Sequence, residues 1–169
     1  TELMPQVRRD LEDLVRIQSV SADPARKAEV QRSADAVAEL LRAEGFEEVK
    51  VVTAADDGFA PAVLAKLPAQ PGQPTVLLYA HHDVQPENDP AEWDSPPWEP
   101  TERNGRLYGR GAADDKAGIM AHIAAIRALG DDLRVGVTMF IEGEEEVASA
   151  TLPALLDQRQ DYLRCDTIV

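Results

Sequence analysis

The stretch TVLLYAHHD, residues 75–83, is a run of apolar, β-favouring residues that ends abruptly in two imidazoles and a carboxylate. An uninterrupted apolar run of this kind reads as a strand covered on both faces, as in sheets flanked by helices. A second run, LRVGVTMFI (133–141), stops against the acidic stretch EGEEE. Segments of helical period lie around them. Leu3, Val7, Leu11, Leu14 and Val15 recur at helical spacing within 3–20, and Val30, Ala34, Val37, Leu40 and Leu41 mark a second helix. Both ends of the second helix are signalled. Asp23 can cap it, Pro24 suits its first turn, and Gly45 suits a left-handed stop before Phe46. A third helix over 114–130 carries Ile119, Met120, Ile123, Ile126 and Leu129 on its apolar side and stops at Gly130. Helices interleaved with apolar strands predict an α/β domain with a mixed, mostly parallel sheet flanked by helices.

The remaining segments fit that frame. EEVKVVTA (47–54) and PAVLAKL (61–67) read as strands separated by a DDG turn, and PAQPGQP (68–74) as a loop. TLPALLDQ (151–158) is a short helix, and DTIV (166–169) opens a further strand. From Asp83 to about Arg110 there is little periodicity, but this stretch holds Trp93, Trp98, several prolines and an Asn104-Gly105 turn. Connections this long within one domain are usually functional or disordered, and the aromatics argue against plain disorder.

Bulk properties exclude several classes of function. A chain of 169 residues supports one domain with a real core. Its lone cysteine, Cys165, excludes an intrachain disulfide and a cysteine-based zinc site, and fits a reducing cytoplasm. Thirty-one acidic against seventeen basic residues leave a net charge of −14, which repels nucleic acid and anionic membrane alike. No apolar run approaches the roughly 20 residues that span a bilayer. TELMPQVRRDLEDL has no initiator Met and none of the pattern of a secretory signal.

Titratable residues gather in AHHD (80–83), GRGAADDKAG (109–118) and IEGEEEVAS (141–149). Ligand sites of α/β sheets form beyond the C-terminal ends of strands. His81 and Asp83, two apart, share one side of a strand end, and His82 points the other way. A neutral imidazole with a carboxylate to fix its tautomer is a zinc-ligand arrangement. Glu142, Glu144, Glu145 and Glu146 crowd together, and a divalent cation would relieve their repulsion; a solvated acidic loop accounts for them equally well. Asp114 and Asp115 begin a helix, where capping is the simpler account. A phosphate cradle fits poorly, because the spacing is not a Walker motif and two aspartates would repel phosphate. His122, in mid-helix, reads as structural. Jointly, imidazole and carboxylates without cysteine describe a hard-to-borderline divalent site.

HHDVQP, WDSPPWEPTERNGRLYGRGAADDKAG and FIEGEEEVAS, in that order, closely resemble the co-catalytic zinc metallopeptidase family. That family includes carnosinase-like dipeptidases, aminoacylases, acetylornithine deacetylase and succinyl-diaminopimelate desuccinylase, and the longest motif looks most like the dipeptidase branch. The resemblance implies a zinc-peptidase-like fold and two divalent ions, zinc first, with manganese or cobalt as alternatives. It implies His81 and Glu146 as metal ligands, Asp114 as the bridge between both ions, Asp83 as the group orienting the site and Glu145 as general base. The peptide bond before Asp115 is often cis in the family. The register among three consecutive glutamates follows from the spacing to Ser149.

The implied activity is hydrolysis of the amide bond of dipeptides or small peptides by a metal-bound water. Deacylation of N-acyl amino acids is an alternative, and a non-catalytic truncated or acidic binding domain is another. The resemblance further implies a homodimer formed through an inserted lid domain, an Asp or Glu ligand shortly after DTIV and a His ligand far downstream. None of these falls within 1–169. The expectation is therefore the N-terminal portion of a metallopeptidase catalytic domain, incomplete and of poor stability by itself.

Overall fold

The computed structural model describes residues 2–54 and 60–169. The expected DDG turn at 56–58 lies outside the described residues. The first helix, α1 (Met4–Val15), is shorter than its periodic pattern, because the chain must turn there to reach the sheet. Val20 forms a parallel bridge with Val84, just beyond the site strand. The helix end is closed from outside. Lys116, fully buried, donates through Nζ to the carbonyls of Leu14 and Ile17 at 2.7 Å each. A helix C-terminus lacks partners for its last carbonyls, and a lysine supplies both the donors and the favourable charge.

The second helix follows its signals closely. Asp23 accepts the Ala25 N–H at 2.9 Å, a 3-10 turn covers Pro24–Arg26, and α2 runs Lys27–Ala43. Gly45 then adopts φ 84, a conformation that only glycine takes freely, and Phe46 N–H returns to Leu41 O.

The strands are β1 (Glu48–Val52), β2 (Ala62–Leu67), β3 (Thr75–His81), β4 (Thr101–Arg103), β5 (Arg106–Tyr108), β6 (Gly136–Glu142) and β7 (Thr167–Ile168). The main sheet has the order β1-β2-β6-β3-β7. β1–β2 and β2–β6 are antiparallel, while β6–β3 and β3–β7 are parallel. The sheet is thus mixed, and its parallel half carries the chemistry. Helices α1, α2 and α3 (Lys116–Leu129) cover one face, through Leu14, Val37, Leu41, Ile119, Ile123 and Met139. Helix α4 (Leu152–Arg159) covers part of the other, where Leu155 and Leu163 meet Leu64, Leu77 and Phe140. β6 is buried along its whole length. β3, for all its apolar sequence, is only half-buried at several positions, since its outer neighbour β7 has two residues.

The register pairs His81 with Glu142, so β3 and β6 end level and their following turns emerge side by side. The long connection after Asp83 is ordered. It holds a 3-10 turn at Pro90–Glu92 and the β4–β5 hairpin, whose Asn104 and Gly105 both have positive φ. Trp93 Nε1–H donates to Glu87 O at 2.8 Å, and the Arg26 guanidinium stands 5.5 Å from the Trp98 ring centroid. The tryptophans thus pin this connection to the start of α2. Among the described residues no helix is long and apolar enough to cross a membrane.

Candidate metal centre

Three turns converge at the C-terminal edge of β3 and β6. The first carries His81 and Asp83, the second Asp114 and Asp115, the third the 3-10 turn Glu145–Val147. His81 Nε2 lies 3.1 Å from Asp114 Oδ1 and 3.8 Å from Glu145 Oε2. On the other side of the ring, Nδ1 lies 3.3 Å from Asp83 Oδ1 and 3.1 Å from Asp83 O. Among the described residues, His81, Glu145 and Glu146 offer ligand atoms that all lie within 4.8 Å of one another. All five sequence-predicted site residues therefore meet here. Burial grades outward, from a fully buried Asp83 through a nearly buried His81 to a largely exposed Asp114.

Asp83 is the hub. Its Oδ1 accepts the Glu145 N–H at 3.3 Å, and its Oδ2 accepts the Glu146 N–H at 3.1 Å and the Ser21 hydroxyl at 2.6 Å. Burial alone would raise its pKa, but the bonds from His81 and Ser21, the charge nearby and the Glu146 N–H outweigh that and lower it. The reverse balance acts on His81. Burial disfavours its charge, yet the bond to Asp83 and the charges of Asp83, Asp115 and Glu145 raise its pKa to about 9. An imidazole that keeps a proton so strongly marks a place where a cation is favoured.

The aspartate pair does not cap its helix. Asp115 occupies the N-cap position of α3 without a side-chain bond to the helix, and its Oδ2 accepts the His81 N–H instead, at 3.2 Å. The Asp114–Asp115 peptide bond is cis. Gly118 makes room for this carboxylate, since a Cβ there would meet Asp115 Oδ1 at 2.1 Å.

The consecutive glutamates separate by role. Glu142 ends β6 almost fully buried and accepts the Tyr79 hydroxyl at 2.7 Å, whose pKa rises through burial and this bond. Glu144 is also buried, and its Oε1 is held by Thr151 N–H and Oγ1–H at 2.6 Å each. Only Glu145 and Glu146 face His81, with Glu146 steadied by Gln85 Nε2–H at 2.8 Å. His82 points away, donating to Pro61 O at 2.7 Å, and complete burial lowers its pKa. His122 binds the Tyr79 carbonyl and has a structural role.

The donor set fits a divalent ion. It combines imidazole nitrogen with carboxylate oxygens and carries more negative than positive charge. Sequence reasoning missed Ser21, which holds the orienting carboxylate of Asp83 from outside the three motifs, and Gln85, which steadies Glu146 from within the first.

The sequence profile of Peptidase family M20/M25/M40 matches residues 77–169. This match covers more than half of the chain, which belongs to that family. Over 105 residues the chain is 42% identical to the Beta-Ala-His dipeptidase of Mus musculus, covering 60% of this chain and 21% of that protein. Over 168 residues it is 30% identical to the Cys-Gly metallodipeptidase DUG1 of Saccharomyces cerevisiae, covering 91% of this chain and 35% of that one. Among solved structures, the di-peptidase Dug1p from Saccharomyces cerevisiae superposes with a TM-score of 0.89 at 26% identity, over 99% of this chain and 38% of that chain. Human carnosine dipeptidase 1 gives a TM-score of 0.88 at 31% identity, over 98% and 38%. The chain thus spans between about a fifth and two fifths of the length of these relatives.

Proposed function

We propose that this chain forms one wall of a dinuclear hydrolase site that cleaves the amide bond of dipeptides or small peptides. The observation that carries the reading is that His81, Glu145 and Glu146 offer ligand atoms within 4.8 Å of one another while Asp114 stands 3.1 Å from His81 Nε2, with Asp83 fixing both the imidazole and the glutamate turn. The dipeptidase relatives support the substrate class.

His81, Asp114 and Glu146 would hold the ions. A bound divalent ion supplies Lewis acidity toward the scissile carbonyl and toward water. Zinc suits the donors best, and manganese or cobalt are also compatible. Asp83 takes the Nδ1–H of His81 and so presents the Nε2 lone pair to the acidic side. Glu145, half-exposed and 3.8 Å from Nε2, accepts a proton from the attacking water and returns it to the leaving amine. In this reading residues 1–169 are the N-terminal portion of a catalytic domain. A lid domain, a homodimer and the missing ligands belong to the longer protein, which works in the cytoplasm.

The test is Glu145→Gln in the full-length protein, with zinc content and turnover measured on the same preparations. The expected result is undiminished zinc and a loss of about 10²–10⁴-fold in dipeptide hydrolysis. Near-normal turnover would overturn the general-base role. A parallel assay on an N-acetyl amino acid separates peptidase from deacylase. Zinc uptake with hydrolysis of neither substrate would favour a non-catalytic binding domain.

A further inference from the structure

The Asp83 carboxylate is held at four points, which is all its lone pairs allow. His81 Nδ1 and the Glu145 N–H lie against Oδ1, and the Glu146 N–H and the Ser21 hydroxyl against Oδ2. The Ser21 contact is much the shortest, at 2.6 Å, within the range of hydroxyl-to-carboxylate bonds. Both partners are shut away from water, Ser21 at 2% and Asp83 at 0% exposure.

Ser21 belongs to none of the three motifs. It arrives from the α1–α2 connection, and a backbone pairing fixes that arrival: Val20 bridges to Val84, and the Val84 N–H donates to Ser19 O at 3.0 Å. The α1–α2 connection therefore reaches under the site and grips the carboxylate that sets both His81 and the Glu145–Glu146 turn. Without the hydroxyl, Oδ2 keeps only the longer Glu146 bond. The carboxylate can then rotate and carry both attached groups with it.

We infer that Ser21 is a positioning residue of the metal centre, acting through Asp83 to set the spacing between His81 and the Glu145–Glu146 turn. The inference rests on the metal-binding reading above. Outer partners of metal ligands typically contribute 10–100-fold to metal affinity.

The experiment is zinc affinity by chelator competition, together with the visible spectrum of the cobalt-loaded chain. It compares the full wild-type chain with Ser21→Ala, Ser21→Thr, Ser19→Ala and His81→Ala. Ser19→Ala is the matched control. It removes an equally buried hydroxyl from the same connection, but one that serves a carbonyl still bonded to Ser33. Ser21→Ala is expected to weaken zinc binding by about 10-fold and to alter the cobalt spectrum. Ser19→Ala should do neither, and Ser21→Thr should restore most of the affinity. Zinc affinity of Ser21→Ala within about twofold of wild type, or a loss equalled by Ser19→Ala, overturns the inference. His81→Ala separates the two levels. If it still binds zinc as the wild type does, the metal reading itself falls. If it loses zinc while Ser21→Ala does not, only the role of Ser21 falls. Should Ser21→Ala not fold, Ser21→Thr and Ser21→Val, alike in shape and different in the hydroxyl, make the same comparison.

Discussion

Two clusters of charge lie toward opposite ends of α3, one in its last turn and one at its start, and they are built differently. In the first, Arg127 of α3 reaches Asp10 of α1 at 2.6 Å and Glu44, after α2, at 2.6 Å. All three side chains are about nine-tenths buried, and Gln6 donates a further bond to Asp10 at 2.6 Å. Two carboxylates share one guanidinium there, so the cluster is close to balance but keeps a single negative charge. In the second, the carboxylates of Asp83, Asp114, Asp115, Glu145 and Glu146 surround one imidazole. The one lysine nearby spends its donors on backbone carbonyls. Carboxylates that share a buried guanidinium tie helices together, whereas the larger negative excess at the strand edge has only one imidazole among it. The size of the unpaired excess, more than the number of acidic residues, separates the two clusters.

The comparison can be broken most sharply at Arg127. Arg127→Met leaves Asp10 and Glu44 buried without their cation, and such a change costs about 3–5 kcal/mol. Thermal and urea unfolding should show that loss, while zinc affinity of the folded fraction stays at the wild-type value. A change in zinc affinity of comparable size would mean that the two clusters are coupled.

A smaller effect is expected at Gly118. Its Cβ would fall 2.1 Å from Asp115 Oδ1, against the carboxylate that receives the His81 N–H. Gly118→Ala must displace that carboxylate or the start of α3, at a cost of about 1–3 kcal/mol. Here stability and zinc affinity should fall together, since the displaced group borders the site. Loss of stability with zinc affinity unchanged would show that Asp115 plays no part in holding the His81 backbone.

Much of this arrangement was legible in the sequence, for identifiable reasons. The helix and strand periods gave every major element, because burial on one face imposes them. His81, the aspartate pair and the glutamates stand out because they cluster at apolar element ends, while the roles expected of Asp114, Glu145 and Glu146 come from the family resemblance. Ser21 does not stand out, since nothing local marks a serine whose partner lies 62 positions away. The end of α1 at Val15 was also hidden. The helical pattern runs on toward Ile17, and the turn is fixed by Lys116, about a hundred residues further along. Among the consecutive glutamates, the register rests on the spacing to Ser149, and nothing in the sequence marks the bonds by which Thr151 holds Glu144.

The smallest effect sharpens the comparison at a third, half-open pair. Glu87 in the long connection receives two hydrogen bonds from Arg26, at 2.9 and 2.7 Å. Chiefly through those bonds its pKa falls from an ordinary 4.5 to about 2. A carboxylate with a lowered native pKa contributes stability above its unfolded value. That contribution is lost as pH falls from about 4.5 through about 2. Because the pair is partly solvated, its worth at neutral pH is about 1 kcal/mol. Arg26→Ala should therefore lower the melting temperature slightly at pH 7, and the difference from wild type should shrink steadily as pH is taken down toward 2.5. A difference that stays constant down to pH 2.5 would show that the Arg26–Glu87 pair contributes nothing to stability that depends on the Glu87 charge.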